Sequence, residues 1–208
     1  MYANLLNPAE IFTLFFVMLG PLKILGPFAQ RTRDTPDPAT IAWYAFLLAT
    51  VGAIAGGFLG TVLLDKWHIS VAALTVSGGI IFFLVAIRQL LAQYRPRGGA
   101  GSSEPLPAAP MAAALQLVFP IVLTPYGIAA VIALLARSES TARTMSILVV
   151  LVLIMVINLL AMLFVRRILV GIVPVLLQLL AAVLAILQLA LSVQFILWGL
   201  QGLRILPG

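Results

Sequence analysis

From Ile41 to Leu64 the chain carries no charged residue. A helix needs roughly 20 mostly apolar residues to cross a bilayer, and this stretch is long enough to do so. Similar runs extend over Ile11–Phe28, Ile69–Ile87, Met111–Ala136, Thr144–Val165 and within Val175–Gly202. Six such runs in 208 residues leave little chain for anything else. Only 9% of the residues are charged, against about 25% in a soluble domain, so the chain cannot coat a water-facing surface. The sequence predicts an all-α, polytopic membrane helix bundle of six transmembrane helices, with the lipid bilayer as its first partner.

The runs are not uniform. The first is interrupted by Gly20, Pro21, Lys23, Gly26 and Pro27, and the fourth by Pro120, Pro125 and Gly127. A proline inside a helix removes one hydrogen bond and clashes with the carbonyl a turn earlier. Lipid cannot satisfy the freed groups, so such breaks persist at membrane depth only where protein or a wet cavity covers them. Each broken run is followed by an Arg-containing polar turn and two further runs. Between the halves, Tyr94 to Pro110 is rich in Gly, Ser and Pro and reads as a linker. The expected organisation is a first three-helix repeat over 1–95, a flexible linker over 96–110 and a second repeat over 111–208. An odd number of spans per half inserts the halves with opposite topology, giving a 3+3 inverted repeat. Paired breaks in corresponding positions are the sequence pointer to a transporter binding site.

Charge sets the orientation. With both termini outside, the inner connections hold Arg31, Arg33, Arg88, Arg95, Arg97, Arg166 and Arg167, and the outer segments hold Lys66, Arg137, Arg143 and Arg204. The excess inside follows the positive-inside rule and places both termini in the periplasm if the membrane is a bacterial inner membrane, which the short loops suit. Met1–Glu10 has no basic n-region, so the first run is expected to remain as a span rather than be removed as a leader. The net charge of +6 lies at the ends of apolar runs and is not interleaved with aromatic residues. It speaks for lipid headgroups and not for nucleic acid.

Several chemistries lack their residues. There is no cysteine, which excludes disulfides and thiolate metal sites. The acidic residues Glu10, Asp34, Asp37, Asp65, Glu104 and Glu139 all lie at run ends or in connections, which disfavours a simple proton relay of buried carboxylates. No phosphate-binding glycine loop with its Lys and Ser/Thr is present. With one histidine, His68, beside Trp67 in a turn, neither a catalytic cluster nor a metal centre can be assembled. The chain is expected to be no enzyme and to need no cofactor.

Four segments together carry a resemblance: Gly20–Thr32, Ile69–Ile80, Pro120–Ala129 and Val193–Gly199. In this order they resemble the MarC family, described as six-span neutral amino acid transporter-like integral membrane proteins, over nearly the whole chain. The resemblance implies the 3+3 inverted repeat and, for some members, small neutral amino acids as substrates. The chain departs from the family pattern at its motifs. Where the family usually has Asp-Pro-Leu-Gly-Asn, Gly20, Pro21, Leu22, Lys23 and Ile24 stand here. Thr124, Pro125 and Tyr126 replace a Gly-Pro-Gly, and Trp198 replaces an asparagine. The resemblance carries the fold further than it carries the substrate.

The expected site lies between the two breaks, with Pro21, Lys23, Pro27, Thr124, Pro125 and Tyr126 around it; the family motif adds Gln194. Half-helix ends offer partial charges, positive at N-termini and negative at C-termini. Lys23 can attract a carboxylate or phosphate, or instead extend its stem to the headgroups. Tyr126 is a hydrogen-bond donor at the site or an interfacial anchor. Asn158, Gln188 and Gln194 fit helix-to-helix hydrogen bonds. The function that follows is a secondary transporter or facilitator of a small zwitterionic or anionic solute. A channel, or a scaffold assembled as a homo-oligomer through the Gly52, Gly56 and Gly60 face, are the alternatives.

Overall fold

The computed structural model describes residues 6–93, 109–169 and 171–205, and every element among them is helical. Asn7 caps the first helix: its side chain accepts from the Glu10 amide, and the Glu10 carboxylate accepts from the Asn7 amide, both at 2.9 Å. Helix α1 runs over Pro8–Leu19 and stops at Gly20; α2 follows over Leu22–Arg31. Asp37 caps α3, Pro38–Lys66, whose 29 residues rise roughly 43 Å. Helix α4 covers Val71–Gln93 and continues past Arg88, which the sequence placed at the end of the third run. The linker expected at 96–110 lies outside the described residues except for its last two: Ala109 caps α5 and Pro110 opens it.

Helix α5 spans only Pro110–Leu117 and passes into a π turn over Val118–Val122, closed by the Leu123 amide on the Val118 carbonyl at 2.9 Å. Helix α6, Pro125–Ala136, then starts from Thr124. Two long helices follow around a short one: α7 over Thr141–Leu163, α8 over Val165–Ile168 and α9 over Val173–Gly202. Among the described residues five helical segments are long and apolar enough to cross a membrane, with α1 and α2 counted together as one. The fourth run of the sequence is divided between α5, the π turn and α6, and α6 alone has 12 residues.

Small residues decide how the helices pack. Ala42, Ala45, Ala49, Ala53 and Gly57 form one buried face of α3, while Trp43, Leu47, Val51, Leu59 and Val62 point outward. This is the arrangement of a helix that meets protein with its small side and lipid with its large one. The glycine face is filled within the chain: a Cβ on Gly60 would stand 2.3 Å from Ile132, and one on Gly57 2.8 Å from Leu135 and Val131. The face that the scaffold alternative placed between copies thus has Leu123 beside Gly52, Ile128 beside Gly56 and Ile132 beside Gly60 within the same chain. Helices α4 and α9 pair in antiparallel fashion through Gly79, Gly199 and Gly202. The broken first span is the most enclosed, with 61% of its apolar window buried, against 17% for α9.

Candidate functional site

The site begins with an unmet hydrogen-bond requirement. The last four carbonyls of any helix lack intrahelical partners, and in α1 the next residues are Gly20 and Pro21. Pro21 has no N–H to give to the Val17 carbonyl four residues before it. The chain cannot round this corner with a larger residue than Gly20, since a Cβ there would sit 1.9 Å from the Phe16 oxygen.

Three side chains from three elements meet the exposed carbonyls. Gln188 of α9 donates through Nε2 to the Val17 oxygen at 3.1 Å. Lys23, in the first turn of α2, donates through Nζ to the Met18 oxygen at 2.8 Å. Asn158 of α7 donates through Nδ2 to the Leu19 oxygen at 2.7 Å. Asn158 is only 2% exposed, and its Oδ1 has no partner. A cation at the negative end of α1 is also favoured by the helix dipole.

The second break meets the first. Thr124 caps α6, accepting from the Gly127 amide at 3.2 Å, with Pro125 at the first helical position. Gly127 lies against α1: a Cβ there would stand 2.4 Å from Leu19 Cδ2. The C-terminal end of α1 and the N-terminal end of α6 are thus brought together. Tyr126 bridges them, since Lys23 Nζ donates to its hydroxyl and lies 4.7 Å from its ring centroid. The Tyr126 ring is fixed on its other side by Phe82 of α4, stacked at 4.5 Å and 18°. In the π turn Pro120 likewise cannot donate to the Gln116 carbonyl, and Arg31 Nη1 reaches that oxygen at 3.5 Å.

A cavity of about 500 Å³ opens beside this junction. Lys23, Thr124 and Tyr126 give it one polar corner, Gln89 of α4 and Gln188 of α9 supply amides, and the remaining walls are apolar, among them Leu22, Ile121 and Leu184. Apolar walls with a few convergent polar groups are the usual form of a small-molecule site. Lys23 has three ammonium hydrogens, and two are engaged by Met18 and Tyr126.

A model of MarC family integral membrane proteins matches residues 8–204. The chain belongs to the MarC family. No curated protein and no solved structure matches it. Within this MarC chain the expected site residues divide in two. Lys23, Thr124, Pro125 and Tyr126 line the cavity, and buried Pro21 makes the corner behind them. Pro27 sits inside α2 and Gln194 is half-buried on α9, and neither lines the cavity. Gln188 and Gln89 belong to the lining although the sequence singled out neither for it. Gln188 was legible in principle: a proline inside a span names the carbonyl four residues earlier as the one needing a donor.

Proposed function

We propose that this protein is a secondary transporter or facilitator of a small polar solute, zwitterionic or anionic. The observation that carries the proposal is the convergence of two helix breaks on one cavity that holds a lysine ammonium and two hydroxyls. The solute's anionic group would meet Lys23 and the positive end of α6, and a cationic group the carbonyl end of α1. The chain would cross the membrane six times as a 3+3 inverted repeat, with α5, the π turn and α6 acting together as the fourth span. Alternating access would then rock one repeat against the other around the site. Both termini would lie outside an inner membrane, a reading that the Arg-rich connections support. We assign the protein no catalytic activity.

The test is thermal stability of the detergent-solubilised protein against glycine, alanine, simple carboxylates, phosphate and sodium. A ligand that binds only the folded state stabilises it by ~2.7 kcal/mol at a hundredfold excess over its Kd. A saturable shift with one solute class, absent in Lys23→Met, is the expected outcome. A shift that survives unchanged in Lys23→Met removes Lys23 from the site and with it this assignment.

A further inference from the structure

The cavity has a neighbour. A groove of about 450 Å³ runs along α1 and α9, lined by Glu10, Thr13, Val17, Leu191 and Trp198 among others. Its carboxylate and its hydroxyl are already bonded within α1 and its cap. Glu10 is bound in the capping box with Asn7, and Thr13 donates to the Ala9 carbonyl at 2.9 Å. The groove therefore offers passage and no built site. Cavity and groove are joined by a hydrogen bond between α9 and α1. Gln188 lines the cavity, Val17 lines the groove, and Gln188 Nε2 is bonded to the Val17 oxygen at 3.1 Å. On α9 the step from Gln188 to the groove residue Leu191 is less than one helical turn, roughly 4.5 Å of rise.

We infer that Gln188 is the gate between the two spaces, and that its bond to the Val17 carbonyl is the closed state. The inference rests on the transport reading above and adds the residue through which passage is controlled. The physical basis is the Pro21 break. The Val17 oxygen has lost its helical donor, so at membrane depth it holds a substitute firmly. Gln188 leaves it at low cost only when another donor arrives. A solute carrying an N–H group supplies that donor, takes the oxygen and frees the amide to swing away. An apolar solute cannot make this exchange, and the gate stays shut to it.

The chain has no cysteine, so single cysteines report without background. Ala181→Cys probes the cavity and Thr13→Cys the groove, in sealed proteoliposomes treated with a membrane-impermeant methanethiosulfonate on either face. In the parent each cysteine is modified mainly from one face, with a slow residual rate from the other, and the two main faces are opposite. Gln188→Met and Gln188→Leu remove the donor while nearly keeping the volume. Both raise modification of the cavity cysteine from the groove side by about tenfold, the change in open population expected from one lost buried hydrogen bond. Unchanged rates in a folded donor-less variant overturn the gate. So does equally fast modification of either cysteine from both faces in the parent, a result that needs no Gln188 variant. Because no solute is present, the labelling fails separately from the transport reading. A gate that responds to Gln188 without any solute-induced stability shift sinks the assignment of the site, and a selective shift with indifferent labelling sinks the gate.

Discussion

The break at Pro21 is stabilised one carbonyl at a time. Gln188, Lys23 and Asn158 each meet one oxygen of the last turn of α1, and they come from three different helices. Of the three, Asn158 is enclosed and away from the cavity lining, so its replacement tests the capping alone. Asn158→Leu leaves the Leu19 oxygen unpaired, which costs about 1–3 kcal/mol. A lowered thermal midpoint in detergent is the expected result, and an unaltered midpoint would show that this oxygen finds another donor. His68 presents a second residue-scale case. It sits at φ 53° in the C-terminal cap of α3, with the Ile69 amide on the Leu64 carbonyl at 2.9 Å. A left-handed residue with a Cβ carries about 1–2 kcal/mol of strain, so His68→Gly is expected to raise the midpoint. This lone histidine, placed by the sequence beside Trp67 in a turn, has a backbone duty that its side-chain chemistry did not disclose. The prolines announced where the helices break; the identity of the capping donors depends on three helices meeting in space, and spacing along one chain cannot give that.

At the scale of elements, small residues place the helices that wall the site. Gly199 of α9 faces the backbone of α4, where a Cβ would stand 2.8 Å from the Val76 amide nitrogen and 2.9 Å from the Ala72 oxygen. Backbone cannot step aside as a flexible side chain can, so Gly199→Ala is expected to cost about 1–3 kcal/mol by overpacking. Gly56 gives the contrast, with its nearest neighbour, Ile128 Cγ2, at an ordinary 3.7 Å. Gly56→Ala is expected to be neutral or to stabilise by up to ~1 kcal/mol through helix propensity. Equal losses in the two variants, compared by circular dichroism melting, would contradict this account of the packing. The apolar runs and their glycines were plain in the sequence, and so was a close-packed glycine face on α3. Its partner was not: spacing shows that a face is smooth without showing that α6 of the same chain lies on it. Gln194 illustrates the converse, since a motif drew it toward the site while the turn of α9 carries it outside the cavity lining and brings Gln188 in.

For the molecule as a whole, the decisive element is the divided segment from α5 to α6. It packs alongside α3 in the same direction, with Leu123 near Gly52 and Ile132 near Gly60. Helix α3 is long enough to cross, and we propose that the segment beside it crosses with it. The turn that holds Thr35 then lies on the opposite face from the turn that holds Glu139. If the segment instead dipped into the bilayer and returned, five crossings would remain and the turn at Glu139 would share the face of the 94–108 connection. Single cysteines at Thr35 and Glu139 separate the two arrangements in intact cells. With the Arg-rich connections inside, Glu139→Cys reacts with an impermeant maleimide directly, and Thr35→Cys reacts only after permeabilisation. The same accessibility at both positions would remove the sixth crossing, and with it the inverted symmetry that lets a site between two breaks face either side of the membrane in turn.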